Sequence, residues 1–200
     1  MLHVTKHVER KGKQNKMGGM TSINTSTVHN PFCQMMRQTK RNVCASCYAH
    51  TQESFRKKVV SPLYFSNSML LSGVLLKDSE MPTIKSSHCR FNSFGEIFNL
   101  THFQNLLNIA MANPQVTFAL WTKRLDIVKP VLLPNLIYVY SSPQKNVVSN
   151  LPKGFDKVFT VFSKPFIREN NVDINCELHC ATCLKCYTHN GIVNINEALR

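Results

Sequence analysis

A chain of 200 residues, 43% of them hydrophobic, is long enough for one domain with a substantial core and too short for two ordinary ones. No uncharged apolar run approaches the roughly eighteen residues of a membrane span, so a soluble protein with no membrane partner is expected. The net charge of +13 admits a nucleic acid or another polyanion as partner, while the dispersed placement of the basic residues suits plain solubility equally well.

Residues 1–19 hold five Lys/Arg and three Gly with little apolar periodicity, which reads as a basic flexible arm. The opening Met1-Leu2-His3-Val4 lacks the apolar core of a secretory signal, and the expected location is the cytoplasm. Met20 to Val28 is β-branched and alternating, a strand that leads into a cysteine loop. After Cys47 the polar segment to about Lys58 is helix-compatible. A second helix is predicted from Tyr64 to Leu76, with Phe65, Met69, Leu70 and Val74 on its apolar face. Thr83 to Phe91 reads as a strand and Asn99 to Ala112 as a helix with Phe103, Leu106, Leu107 and Ala110 inward. Val116 to Trp121 is the most strand-like run, followed by a short helix from Leu125 to Leu132 and strands over Leu136 to Tyr140 and Lys157 to Phe162. Strands alternating with helices imply an α/β fold, a partial (β/α) barrel or curved parallel sheet with crossover helices, over residues 20–170. Residues 171–200 form a cysteine-rich metal-binding tail packed on the same domain.

The chemistry lies in the cysteines. Cys33, Cys44 and Cys47 fall within fifteen residues, and Arg37, Lys40 and Arg41 stand between them. A basic surrounding favours the thiolate that binds metal. In a reducing compartment such a group reads as a metal site, either a zinc knuckle or an iron-sulfur cluster with an open position. Cys176, Cys180, Cys183 and Cys186 place four thiols in eleven residues, a full metal site by themselves. Cys44-x-x-Cys47-Tyr48-x-His50 and Cys183-x-x-Cys186-Tyr187-x-His189 match each other, so two separate sites and one shared zinc both remain open, with His50 and His189 as ligands or surface residues. Cys89, isolated on a predicted strand, is either an inert buried thiol or the completion of the first site. At the carboxyl ends of a parallel sheet, where sites form, the sequence places Asn92 to Glu96, Trp121 to Arg124 and Ser141-Ser142-Pro143. His88, His102 and Glu96 are candidate bases without a surrounding motif.

A strand, a loop of three cysteines with the aromatic Tyr48 beside the last, and a later strand ending in Ser93-Phe94-Gly95-Glu96 resemble a compact member of the radical S-adenosylmethionine superfamily. Trp121-Thr122-Lys123-Arg124 with Leu125-Asp126-Ile127 resembles the third-strand turn of the spore photoproduct lyase-like branch. Over roughly residues 17–190 the chain is also similar to small cysteine-rich proteins encoded by phages and plasmids. The superfamily spacing is C-x-x-x-C-x-x-C, whereas here the first loop is C-x10-C-x-x-C and Cys176, Cys180 and Cys183 carry the usual spacing. The resemblance implies a 4Fe-4S cluster on Cys33, Cys44 and Cys47, with S-adenosylmethionine on its fourth iron. Tyr48, Asn92, Ser93, Gly95, Glu96, Thr122, Lys123 and Ser141 are the cofactor-binding candidates. It further implies a radical enzyme fed by an electron donor, with a second iron-sulfur cluster or zinc on the terminal cysteines. The alternatives are a zinc-dependent nucleic-acid-binding module and an iron-sulfur protein that senses redox state or binds a partner without turnover.

Overall fold

The computed structural model describes residues 1–8, 16–176 and 179–199. Its strands form one sheet in the order β1 (Val4–Lys6), β2 (Thr21–Ile23), β3 (His88–Phe91), β4 (Thr117–Thr122), β5 (Leu136–Lys145), β6 (Lys157–Phe162) and β7 (Asn194–Ala198). β1 is antiparallel to β2, and all later neighbours are parallel. The expected α/β sheet is present and it is open, with β1 and β7 as its edges. Spatial order equals chain order, so every parallel connection steps one strand in the same direction. Right-handed crossovers then leave the two long helices on a single face.

Two apolar clusters divide along that line. On the outer face Ile23, Phe91, Phe118 and Leu120 meet Leu71 of α3 (Val60–Gly73) and Phe103, Leu106 and Ile109 of α4 (Leu100–Ala112). Phe91 and Phe118 stack there at 4.8 Å. On the inner face Ala119, Trp121, Ile137, Val139, Phe159 and Ile195 are covered by Met17, Met20 and Tyr187, with Cys176, Cys180 and Cys186 packed alongside. Both faces of β4 are therefore buried, which is why its sequence is an unbroken apolar run. The stretch before β2 crosses to the far edge of the sheet: Lys16 Nζ pairs with Glu197 of β7, and the Lys16 carbonyl accepts from Cys180 N at 2.8 Å.

Several expectations need correction. The segment read as a flexible arm contains β1, and Leu2 is buried in the outer core; residues 9–15 of it lie outside the described residues. Phe65 and Met69 of α3 are 40% and 59% exposed, and the face that packs is Tyr64, Asn67, Ser68 and Leu71. Hydrogen bonding decides this orientation. Asn67 donates from Nδ2 to the carbonyls of His3 and Asn24, both at 2.9 Å, and Ser68 Oγ accepts from Ser26 N at 2.9 Å. The helix thus satisfies buried backbone of the amino-terminal segment, where an apolar face would leave it unpaired. In place of the helix expected from Leu125 to Leu132 there is a single turn at 125–127 followed by irregular chain, because Pro130 disfavours helical backbone at Lys129. β3 begins at His88, later than the predicted Thr83. β7 and α5 (Lys164–Asn170) have no counterpart among the predicted elements.

Candidate functional site

Each of the first three cysteines stands at the amino terminus of a short helical segment. Asn30 caps α1 (Pro31–Gln38), its Oδ1 accepting from Phe32 N at 2.9 Å and Cys33 N at 3.2 Å, with Pro31 in the first turn. Asn42 does the same for a 3-10 turn, Val43–Ser46, accepting from Cys44 N at 2.8 Å and Ala45 N at 3.0 Å. Cys47 is itself the cap residue of α2 (Tyr48–Phe55). All three cysteines therefore lie in or beside the first turn of a helical segment, where the partial positive charge of unpaired N–H groups opposes the burial that raises the Cys33 and Cys44 thiols.

The loop is tied to the carboxyl edge of the sheet from several sides. Asn30 Nδ2 donates to the Glu96 carbonyl at 2.8 Å. The Arg124 guanidinium lies 4.7 Å over the Phe32 ring and donates to the Ile97 carbonyl at 2.8 Å. β5 runs past its neighbours, shifts register between Ser141 and Lys145, and bridges back to the loop through Gln144 and Asn42. Behind the loop, the buried Glu53 of α2 accepts from Ser26 Oγ, Thr27 Oγ1, Thr27 N and Ser61 Oγ, fixing the segment that connects β2 to α1.

Glu96 sits at the centre of this edge. Its Oε1 accepts from Thr122 Oγ1 at 2.7 Å and Ile97 N at 2.9 Å, and its Oε2 accepts from Lys123 N at 2.8 Å. Lys123 Nζ continues the chain to Ser141 Oγ at 2.6 Å. Burial pushes the Glu96 carboxyl above its ordinary range, and the Thr122 hydroxyl and the Lys123 charge oppose that shift. Burial also raises the Cys33 thiol, and the charges of Glu96, Cys47 and Cys44 raise it further while Lys123 pulls it down. Cys44 is raised by burial and lowered by Lys123. Three thiols, one carboxylate and one ammonium thus share one electrostatic neighbourhood.

The remaining cofactor candidates are placed at the same edge with their polar groups largely engaged. Ser93 Oγ donates to Asn24 Oδ1 at 2.6 Å, and Asn92 Nδ2 donates to the Trp121 carbonyl at 3.4 Å. The exposed Tyr48 reaches the Ser93 carbonyl at 3.4 Å. Gly95, at φ +82°, lies so close to Thr25 that a Cβ would stand 2.4 Å from the Thr25 carbonyl oxygen; chain packing explains this glycine.

The terminal cysteines gather elsewhere. Cys176, Cys180, Cys183 and Cys186 line a small cavity of about 20 Å³ on the inner face, together with Trp121, Tyr187 and Lys16. Burial raises Cys186 to about 12, with Cys180 adding to the shift and Arg90 opposing it. The two C-x-x-C-Y-x-H knuckles differ in surroundings: Tyr48 meets Phe94 edge-on at 6.0 Å, and Tyr187 meets His88 edge-on at 5.7 Å. His189 Nδ1 faces Asp156 at 3.5 Å, and His50 Nδ1 is buried without a hydrogen-bond partner. Cys89 is buried in the outer core with its thiol raised to about 12, the surroundings of an inert thiol. Among the described residues no three His, Cys, Asp or Glu side chains converge closely enough to hold a single metal ion. An iron-sulfur cube needs something different, thiolates spread around its corners. Among the described residues no helix is long and apolar enough to cross a membrane.

The family described as Gene product 88 matches residues 3–198, nearly the whole chain. The chain belongs to the Gene product 88 family. The match spans both cysteine groups and every strand, so the open sheet and its two thiol clusters belong to one Gene product 88 unit. No curated protein and no solved structure matches the chain. Sequence reasoning named Tyr187 in the second knuckle but missed Lys16, which lines the inner cavity, and Arg90, which stacks on Trp121 beside it.

Proposed function

We propose that this Gene product 88 protein is an iron-sulfur protein of radical S-adenosylmethionine type, its cluster held by Cys33, Cys44 and Cys47. The observation that carries this reading is that the three-cysteine loop is tied through Asn30 to the Glu96 carbonyl and through Asn42 to Gln144, at the carboxyl edge of a parallel sheet where Glu96 and Lys123 also stand. The donor set fits: three soft sulfurs carried at the starts of three helical segments supply three of a cluster's four corners and leave one open. When bound, the cluster and S-adenosylmethionine supply one-electron reductive cleavage and hydrogen abstraction, with the electron drawn from an external reductant. Glu96 keeps one acceptor direction on Oε2 for an ammonium group, since that oxygen has a single donor at present. Lys123, held by Ser141, offers a positive charge toward a carboxylate. Arg37, Lys40, Arg41 and Lys145 are exposed beside the loop and suit a polyanionic substrate such as a nucleic acid.

Anaerobic reconstitution tests the reading. The full chain should take up about four more irons than a Cys33→Ala, Cys44→Ala, Cys47→Ala variant, and S-adenosylmethionine should alter the electron paramagnetic resonance spectrum of the reduced cluster. Equal iron content in the two proteins removes the assignment. Iron uptake without any response to S-adenosylmethionine would instead favour a redox or partner-binding role.

A further inference from the structure

We propose that Cys176, Cys180, Cys183 and Cys186 hold an iron-sulfur cluster against the inner face of the sheet, and that Arg90, stacked on Trp121, balances its negative charge. This inference does not depend on the first site. Three buried polar atoms in and beside the cavity have no hydrogen-bond partner: Trp121 Nε1, Tyr187 Oη and Arg90 Nε. Their residues are only 6%, 3% and 9% exposed, so water is largely barred from satisfying them. The indole and guanidinium groups are donors only, and the tyrosine hydroxyl can donate as well. A neutral thiol is a weak acceptor. Four thiolates on a metal are strong ones, and metal binding is what makes these cysteines anionic.

Charge placement agrees with this. The Arg90 guanidinium lies 3.8 Å over the Trp121 ring, held on the inner face, and it acts electrostatically on both Cys180 and Cys186. Lys16 lines the same cavity and brings a second positive charge, already shared with Glu197. A tetrathiolate carrying a divalent metal or a cluster keeps a net negative charge, and stacked arginine is suited to sit near it because its guanidinium is weakly hydrated and always protonated. Without metal, the inner face would bury a cation beside neutral sulfur, a costly arrangement. Arg90 is thus a positioning and charge-balancing residue; the four sulfurs are the ligands.

The test uses the full chain with Cys33, Cys44 and Cys47 replaced by Ala, which isolates the second site. It is loaded anaerobically with iron and sulfide and, in parallel, with zinc. Uptake of iron with sulfide and the visible absorption of a cluster is the expected result, and four thiols should then become unreactive toward a thiol reagent; binding of one zinc without uptake of iron and sulfide overturns the cluster. Adding Cys183→Ser or Cys186→Ser should abolish loading. In competition with a chelator, Arg90→Gln should weaken retention at least tenfold, in the range known for residues that support metal ligands, whereas Arg90→Lys should recover most of it. Comparing melting curves of the metal-free forms separates this effect from a general loss of fold. Failure of every load to bind, or unchanged loading after removal of Cys183 and Cys186, overturns the site. Equal retention by the wild-type side chain and Arg90→Gln overturns the role of Arg90.

Discussion

Gly95→Ala is the sharpest test of how the candidate site is held. The residue has φ +82°, and a Cβ there would lie 2.2 Å from Thr25 Oγ1 and 2.4 Å from the Thr25 carbonyl oxygen. Left-handed backbone costs an alanine about 1–2 kcal/mol. Forcing apart a packed contact adds about 1–3 kcal/mol, since one of the two obstacles is backbone and cannot rotate away. The sum, about 2–5 kcal/mol, is a large share of the roughly 5–15 kcal/mol by which a domain is stable. For a chain of this size it should lower Tm by about 5–15 °C in a thermal melt followed by circular dichroism. Adding Thr25→Ala removes the hydroxyl but leaves the carbonyl, so the double variant should recover only a minor part. Because Glu96 follows directly and accepts from Lys123 N and Thr122 Oγ1, iron uptake by Cys33, Cys44 and Cys47 should also fall. A Gly95→Ala protein whose Tm lies within about 2 °C of wild type would refute the close approach, and with it the explanation given for this glycine.

Glu53 offers a graded comparison. Glu53→Ala should cost about 3–5 kcal/mol in urea denaturation, because Thr27 N and three hydroxyls lose their acceptor in a buried place, whereas Glu53→Gln should cost about 1–2 kcal/mol, since Ser26 and Ser61 can turn their hydroxyls to accept from the new amide; equal losses would contradict that geometry. His102 predicts a pH dependence. Its Nδ1 accepts from Phe98 N at 3.1 Å, and burial pulls its pKa from 6.5 down to about 3. The folded state keeps the ring neutral while the unfolded chain protonates it, so this contribution is complete above pH 6.5 and is lost as the pH falls from there toward 3. Between pH 7 and 5 the loss is about 2 kcal/mol, and His102→Gln should remove that slope from the stability curve; parallel curves for the two proteins would rule it out.

The parts of the fold that were legible are those where one physical signal dominates. β4, the first half of β5 and most of β6 are apolar runs, and α4 shows its buried stripe of Phe103, Leu106, Leu107 and Ala110 at helical spacing. β7, Asn194 to Ala198, is an edge strand with polar residues, and β1 is only three residues long, so neither carries a periodic pattern. The face of α3 was misread because hydrogen bonds from Asn67 and Ser68 outweigh the burial of Phe65 and Met69, and pattern reasoning counts only apolar side chains. At the site, the cysteines announced themselves by spacing. The caps Asn30 and Asn42 and the neighbours Arg90 and Lys16 did not, since each is placed by tertiary structure.

The two apolar clusters are also separated in the order of synthesis. Among the described residues, every member of the outer core lies between Leu2 and Phe155, so that core is in place before the cysteine-rich end of the chain is made. The inner core recruits Phe159, Tyr187 and Ile195 together with Met17 and Met20. A chain emerging from the ribosome therefore carries Trp121, Ile137 and Val139 as an unroofed apolar surface until the cysteine segment arrives. The last part of the chain closes the inner face of a sheet whose outer apolar core is already in place, and the methionines near the start wait for it.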